Sequence, residues 1–192
     1  MKKTKLLLLA AIIVFPTISA FAGDDEGGKK GIRAGWQMSN FYSDGNSVGD
    51  NLSSFYIGVF GEKKLIPLLS LGVGLEYSSN GSTQNSPDAK YVRHIISLPV
   101  YLKVKLGPVF ALAGTAANFG VADKFSIEGE NIDLNDILKT NVFNLPIYMG
   151  IGVKVSIISI EARYHLGLLD LDKTDNSSKT TQYFQLGAAV SF

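Results

Sequence analysis

The most constraining stretch of this chain is its last one, Thr181 to Phe192, which reads T-Q-Y-F-Q-L-G-A-A-V-S-F. Phe184, Leu186, Ala188, Val190 and Phe192 fall on one set of alternating positions, and Tyr183, Gln185, Gly187, Ala189 and Ser191 on the other. Period-two alternation is the pattern of a strand with two unlike faces. The apolar face runs without interruption to the terminal phenylalanine. In water such an edge would template aggregation. It is tolerable where the greasy face meets lipid and both edges are paired by closure of the sheet.

The N-terminus points to export. Met1-Lys-Lys-Thr-Lys5 is a basic start, Leu6 to Phe15 is an apolar run too short to span a bilayer, and Pro16 ends it. Ala20-Phe21-Ala22 has the small-x-small form of a cleavage site. Residues 1–22 are therefore read as a signal peptide, with the mature chain starting at Gly23. Removing Lys2, Lys3 and Lys5 takes the formal charge from +1 to −2. No basic excess remains for nucleic acid. Cysteine is absent, which excludes disulfides, thiolate catalysis and a lipidated N-terminal cysteine. After Gly23 the longest apolar run, Leu65 to Leu75, is broken by Pro67, Ser70, Gly72 and Gly74, so no segment reads as a membrane helix.

Residues 23–30 (G-D-D-E-G-G-K-K) form a charged leader with nothing to bury. Strands are predicted at Gly31–Phe41, Leu52–Glu62, Leu69–Ser79, Tyr91–Leu106, Val109–Val121, Val142–Val155, Ile158–Gly167 and Thr181–Phe192. The facing of the second and fifth is not decided by the pattern. Between them, Tyr42–Asn51, Asn80–Lys90, Ala122–Asn141 and Leu168–Lys179 read as long loops, while Lys63–Leu68, Gly107-Pro108 and Ser156 onward leave room only for short turns. Asp133 to Lys139 has the form of a helical turn behind an Asp cap. Long and short connections alternate strictly. With both termini on the periplasmic side, every long loop falls outside, as in bacterial outer-membrane barrels. The expected fold is all-β: an eight-stranded antiparallel up-and-down transmembrane barrel over residues 31–192.

The opposite faces of the clear strands carry Arg33, Glu76, Lys103, Lys105, Lys154, Glu161 and Arg163 among glycines and serines. A small barrel's interior is just wide enough for side chains. Charges of both signs there have to pair, because an unpaired buried charge costs several kcal/mol. A packed, ion-paired lumen follows, and no open pore.

Several segments resemble the PorT-like outer-membrane β-barrel family. They are Ser54-Phe-Tyr-Ile-Gly58-Val-Phe-Gly-Glu62, Leu71-Gly-Val-Gly-Leu-Glu76-Tyr77-Ser-Ser-Asn-Gly81, Ile96-Ser-Leu-Pro99-Val-Tyr-Leu-Lys103, Phe110-Ala-Leu-Ala-Gly114, Gly150-Ile-Gly152-Val-Lys154 and Ile160-Glu161-Ala-Arg163-Tyr164-His-Leu-Gly167-Leu168. The resemblance implies an eight-stranded outer-membrane barrel. It also points to a family with one member tied to protein secretion and most without an assigned activity, and only the architecture is carried over.

His94 has Ser97 three residues on, which in a strand points to the opposite face, and His165 has no serine at a spacing that shares its face. Both histidines are expected at the rim or in the lumen without catalytic duty. Glu76, Glu161 and Arg163 are expected to pair structurally. Asp170, Asp172, Asp175 and Asn176 lack calcium-loop spacing, and Trp36, Tyr77 and Tyr164 read as interfacial aromatics. No cofactor or metal is expected. The expected partners are outer-membrane lipids, the barrel-assembly machinery through Phe184, Leu186, Val190 and Phe192, and envelope proteins. The expected role is non-enzymatic: structural, adhesive or accessory, through the outer loops. A lipid- or lipopolysaccharide-modifying enzyme is the alternative, and a narrow channel or ligand-binding barrel the third reading.

Overall fold

The computed structural model describes residues 28–43, 46–85, 88–127, 130–133, 143–167 and 179–192. Ten strands account for almost all of them: β1 (Gly28–Ser43), β2 (Asn46–Ile66), β3 (Leu69–Asn85), β4 (Asp88–Leu106), β5 (Val109–Ile127), β6 (Glu130–Asp133), β7 (Phe143–Asn144), β8 (Pro146–Val155), β9 (Ile158–Gly167) and β10 (Lys179–Ser191). Each neighbouring pair is antiparallel. The order β4-β3-β2-β1-β10-β9-β8-β5 is closed by a β4–β5 pairing, so eight strands form a ring. β6 pairs with β5 as an added hairpin, and β7 continues the β8 wall across the Leu145 interruption. The expected eight-stranded antiparallel barrel is what the chain forms.

First and last strands meet in a thirteen-pair register, from Gly31 opposite Ser191 to Ser43 opposite Lys179. Lys30 and Phe192 then exchange backbone hydrogen bonds at 2.9 and 2.8 Å. No edge is left on either terminal strand, which removes the hazard that the greasy C-terminal segment would otherwise carry.

One end of the barrel has the two-residue turns Pro67-Leu68, Gly107-Pro108 and Ser156-Ile157, together with the start of β1 and the end of β10. Gly107 at φ 67° and Ser156 at φ 58° supply the left-handed backbone that a tight hairpin demands. The other end differs from expectation. Much of the predicted loops Tyr42–Asn51, Asn80–Lys90 and Ala122–Asn141 is strand: β1 and β2 pair out to Ser43 and Asn46, β3 and β4 to Asn85 and Asp88, β5 and β6 to Ile127 and Glu130. Polar composition signals solvent there, and in this chain the solvated chain is paired ribbon. The leader is also shorter than expected, because Gly28–Lys30 already pair with Gly61–Lys63. Asp133 is the last residue of β6. Residues 134–139, the signal segment and Asp170, Asp172, Asp175 and Asn176 lie outside the described residues.

The facing is inside-out relative to a water-soluble protein. Met149, Ile151 and Ile160 are 60%, 66% and 61% exposed, whereas Arg33, Glu76, Glu161 and Arg163 are all under 5%. A continuous apolar belt of this kind far exceeds the patches that soluble monomers tolerate. The two strands left open by the pattern are resolved by the same rule. β2 turns Tyr56, Phe60 and Glu62 inward and Phe55 and Ile57 outward; β5 turns Phe110, Leu112, Ala116 and Asn118 inward.

The belt has a rim. Trp36, Phe55, Tyr77, His94, Phe119, Phe143, Tyr164 and Phe184 ring the outer face, linked by Trp36–Phe184, Phe55–Tyr77, Tyr77–His94 and Phe119–Phe143 ring contacts with centroids 5.4–6.4 Å apart. Their polar atoms are satisfied: Trp36 Nε1 donates to Ser53 Oγ at 2.5 Å, Tyr164 Oη to Gln182 Oε1 at 2.6 Å, and Tyr77 Oη meets His94 Nδ1 at 2.7 Å. Such rings sit where hydrocarbon gives way to headgroups. Of the two places expected for it, His94 is therefore at the rim, on the outer face, and not in the lumen. From Tyr77 to Leu69 the strand rises about 26 Å at about 3.3 Å per residue. At a tilt of about 40° that leaves an apolar band about 20 Å tall, close to what outer-membrane barrels present.

Candidate functional site

The lumen is filled in two layers. In the layer nearer the short turns, Arg163 on β9 donates from Nη1 to Glu76 Oε1 at 2.7 Å and from Nη2 to Oε2 at 3.4 Å. In the ring β3 and β9 are four places apart, so this pair spans the barrel's diameter. Arg163 Nε lies 3.4 Å from Glu161 Oε1, which also accepts from Arg33 Nη1 at 3.4 Å. Arg33 Nη2 donates to Tyr101 Oη at 2.8 Å, Tyr101 Oη donates to Glu62 Oε1 at 3.1 Å, and Lys103 Nζ donates to the same oxygen at 2.6 Å. One connected network thus joins β1, β2, β3, β4 and β9.

Aromatic rings fill the space beside these charges. Arg33 lies over Phe60, Lys103 over Phe110 and Arg163 over Tyr56, at 4.3, 4.1 and 4.9 Å from the ring centres. The glycines on the inward face make room for the rings. A Cβ on Gly72 would come within 2.2 Å of the Tyr101 ring, and one on Gly152 within 2.3 Å of the Phe110 ring. A side chain at either position would displace an aromatic that braces the network.

The second layer, toward the hairpin end, is polar but uncharged. Gln37 Nε2 donates to Ser79 O at 2.9 Å and also bonds Asn80 Oδ1; Gln185 Nε2 donates to Gln37 Oε1 at 2.7 Å. Gln185 Oε1 then meets His165 Nε2 at 3.0 Å. A backbone carbonyl can only accept, so Ser79 fixes both amides and makes His165 Nε2 the donor. The His165 ring is stacked between Tyr148 and Tyr183, with centroids 4.5 and 4.1 Å away.

Arg33, Glu76, Lys103, Glu161 and Arg163 are buried and brought together, while Lys105 and Lys154 stand half-buried at the turn-end mouth, Lys154 bonded to Ser191 Oγ. Phe184, Leu186, Val190 and Phe192 face outward along β10. Sequence reasoning missed Glu62, which shares a face with Tyr56 and Phe60; the near-uniform apolar run Phe55–Phe60 hid the parity. It also missed the Gln37–Gln185–His165 chain, whose members lie on three strands. Trp36, Tyr77 and Tyr164 sit on the girdle, as interfacial residues should.

The chemistry available in the lumen is limited. The carboxylates Glu62, Glu76 and Glu161 are each held by at least one cation within 3.5 Å. Among the described residues, His165 Nε2 is hydrogen-bonded to the Gln185 amide oxygen and its ring is stacked between two phenol rings. Among the described residues no group of three or more His, Cys, Asp or Glu is placed to hold a metal ion. A pocket of about 560 Å³ lies on the outer wall over Ala34 and Ala188, lined by Ile32, Ile57, Val59 and Leu75, and so faces acyl chains rather than an aqueous substrate.

A family model described as an outer membrane protein beta-barrel domain matches residues 29–173. The chain belongs to that family. Among solved structures, Neisserial surface protein A superposes with a TM-score of 0.58 at 14% identity, over 87% of this chain and 100% of its own. Ail, the attachment invasion locus protein of Yersinia pestis, solved with the heparin analogue sucrose octasulfate, superposes with a TM-score of 0.54 at 16% identity, over 86% of this chain and 99% of its own. No curated protein sequence matches this one. At these identities the structural likeness speaks for the fold. With the family match and the lipid-compatible belt, it makes the protein a small barrel of the bacterial outer membrane.

Proposed function

We propose that the protein is a non-catalytic outer-membrane anchor that displays paired β-ribbons to the outside as a docking surface for a basic partner. The observation that carries this reading is the continuation of three hairpins past the aromatic girdle above an ion-paired lumen. From Trp36 to Ser43, Tyr77 to Asn85 and Phe119 to Ile127 the strands run on for seven or eight residues, about 23–26 Å of chain. Paired ribbon holds its shape where a loop would have to be ordered on binding. Short turns and both strand termini then belong on the periplasmic side. Within its family, the order of the Gly-, Pro- and Arg-containing motifs favours the PorT-like branch.

Charge defines the partner. Residues 40–51, 80–90, 122–142 and 168–180 connect the strands at the hairpin end, and together hold eleven acids against five lysines. Ail is described with a polyanionic heparin analogue. An acidic surface repels such a ligand and suits a cationic one. The C-terminal strand, with Phe184, Leu186, Val190 and Phe192, is the expected handle for the assembly machinery.

The test is binding of fluorescent oligolysine and fluorescent heparin to cells displaying the protein, against cells lacking it. Oligolysine bound through the protein, reduced by neutralising Asp44, Asp50 and Asp88 to Asn, is the expected result. Binding of heparin with no response to oligolysine would overturn the charge assignment. Altered lipid acylation in a deletion strain would overturn the non-catalytic one.

A further inference from the structure

Four ammonium groups meet at the turn-end mouth of the lumen. Lys29 from β1, Lys103 and Lys105 from β4 and Lys154 from β8 line a space of about 230 Å³, with Phe110 and the Gly107-Pro108 turn in its wall. The acid beside them is Glu62, with Lys103 Nζ 2.6 Å from Oε1 and Lys105 Nζ 3.5 Å from Oε2. Tyr101 Oη shares Oε1, so both oxygens of this carboxylate are engaged. Lys105 Nζ also donates to Ser70 Oγ at 3.2 Å, and Lys154 donates to Ser191 Oγ. Those hydroxyls carry no charge. Among the described residues Lys29 and Lys154 have no carboxylate within ion-pairing distance. The charges that act on Lys154 are Lys29, Lys103 and Lys105, all of its own sign, and Glu62.

Deeper in the lumen the balance is different, since Arg33 and Arg163 are matched there by Glu76 and Glu161. The positive excess is thus confined to the end of the lumen that a solute can enter. Like charges held together repel, and partial burial weakens the screening that water and salt provide. An oxyanion removes that repulsion and accepts from ammonium groups that have N–H donors to spare. Donors arriving from three strands surround a tetrahedral anion better than they fit a planar carboxylate, and lysines bind phosphate as point charges. The space is smaller than the 300–1,000 Å³, roughly, of sites for drug-sized ligands, and suits a phosphate with a small substituent. We propose that this mouth is a binding site for a phosphate group, held by Lys29, Lys105 and Lys154 while Lys103 stays paired with Glu62.

The test titrates inorganic phosphate into the full barrel, purified in an uncharged detergent at low ionic strength, and follows binding by calorimetry. The variant K29M/K154M removes the two lysines that Glu62 does not hold, and K63M/K64M removes two exposed lysines that do not line the mouth. Heat-modifiable migration on gels checks that each variant is still a closed barrel. The expected result is binding to the wild type, binding at least tenfold weaker to K29M/K154M, and binding within twofold of the wild type to K63M/K64M and to Lys154→Arg. No binding to the wild type, equal binding to K29M/K154M, or an equal loss in K63M/K64M would overturn the site. Competition then separates the sources of the phosphate. Displacement by short-chain phosphatidylglycerol and not by glycerol 3-phosphate supports the site as one for a lipid headgroup, and displacement by glycerol 3-phosphate supports it as one for a soluble ester.

Discussion

Arg163 Nη1 lies 2.7 Å from Glu76 Oε1 although the two residues are 87 positions apart and sit on opposite walls of the barrel. The pair works as a strut. Its ends are fixed by β9 and β3, and Glu161, Arg33, Tyr101, Glu62 and Lys103 extend it around the lumen. The interior is therefore specified by charge pairing while the exterior is specified by lipid, the reverse of the arrangement in a protein dissolved in water.

The layer that holds Arg33, Glu76 and Arg163 is filled with buried, paired side chains. In planar bilayers the wild-type protein should show no resolvable single-channel conductance, and a variant replacing Arg163 and Tyr101 with Ala should leak. Steady ohmic openings of the wild type would contradict the packing described here.

Trp36 is the sole tryptophan of the chain, so intrinsic emission reports one site. It is 41% exposed on the outer face, at the level of the girdle. In vesicles its fluorescence should be quenched strongly by lipids brominated near the headgroup and weakly by lipids brominated at the chain end. Full accessibility to aqueous iodide would place the girdle outside the membrane.

Gly72 gives its inward face to the Tyr101 ring. Gly72→Val should force that ring aside, cost about 1–3 kcal/mol by overpacking and loosen the Arg33–Tyr101–Glu62 links. The readout is a lower urea midpoint for unfolding in detergent. An unchanged midpoint for Gly72→Val would remove Tyr101 from the bracing role.

The sequence was most legible where one period governs everything. β9 was read with its present bounds, Ile158–Gly167, because Ile158, Ile160 and Tyr164 alternate strictly with Ser159, Glu161 and Arg163. Parity alone puts Arg33, Glu76 and Arg163 on the face opposite the apolar one. It does not give their partners, since pairing depends on which strands are neighbours around a closed ring and on the stagger between them. Glu62 was lost among Phe55, Tyr56, Ile57 and Phe60, where both faces are apolar or aromatic. The ribbons past the girdle have the composition of loops, dominated by Asn, Ser, Gly and Asp, and composition records contact with water more faithfully than it records backbone pairing.

A double-mutant cycle on Glu76→Gln and Arg163→Met measures the strut between β3 and β9 directly, through unfolding free energies in detergent. Each single change takes the nearest partner from a buried charge, leaving Arg163 only Glu161 or Glu76 only Arg33, and should cost about 3–5 kcal/mol. The double variant should cost less than the two together by 2 kcal/mol or more, on the order of the coupling of contacting residues. Additivity within about 0.5 kcal/mol would show that the two side chains do not meet across the lumen, and would contradict the account.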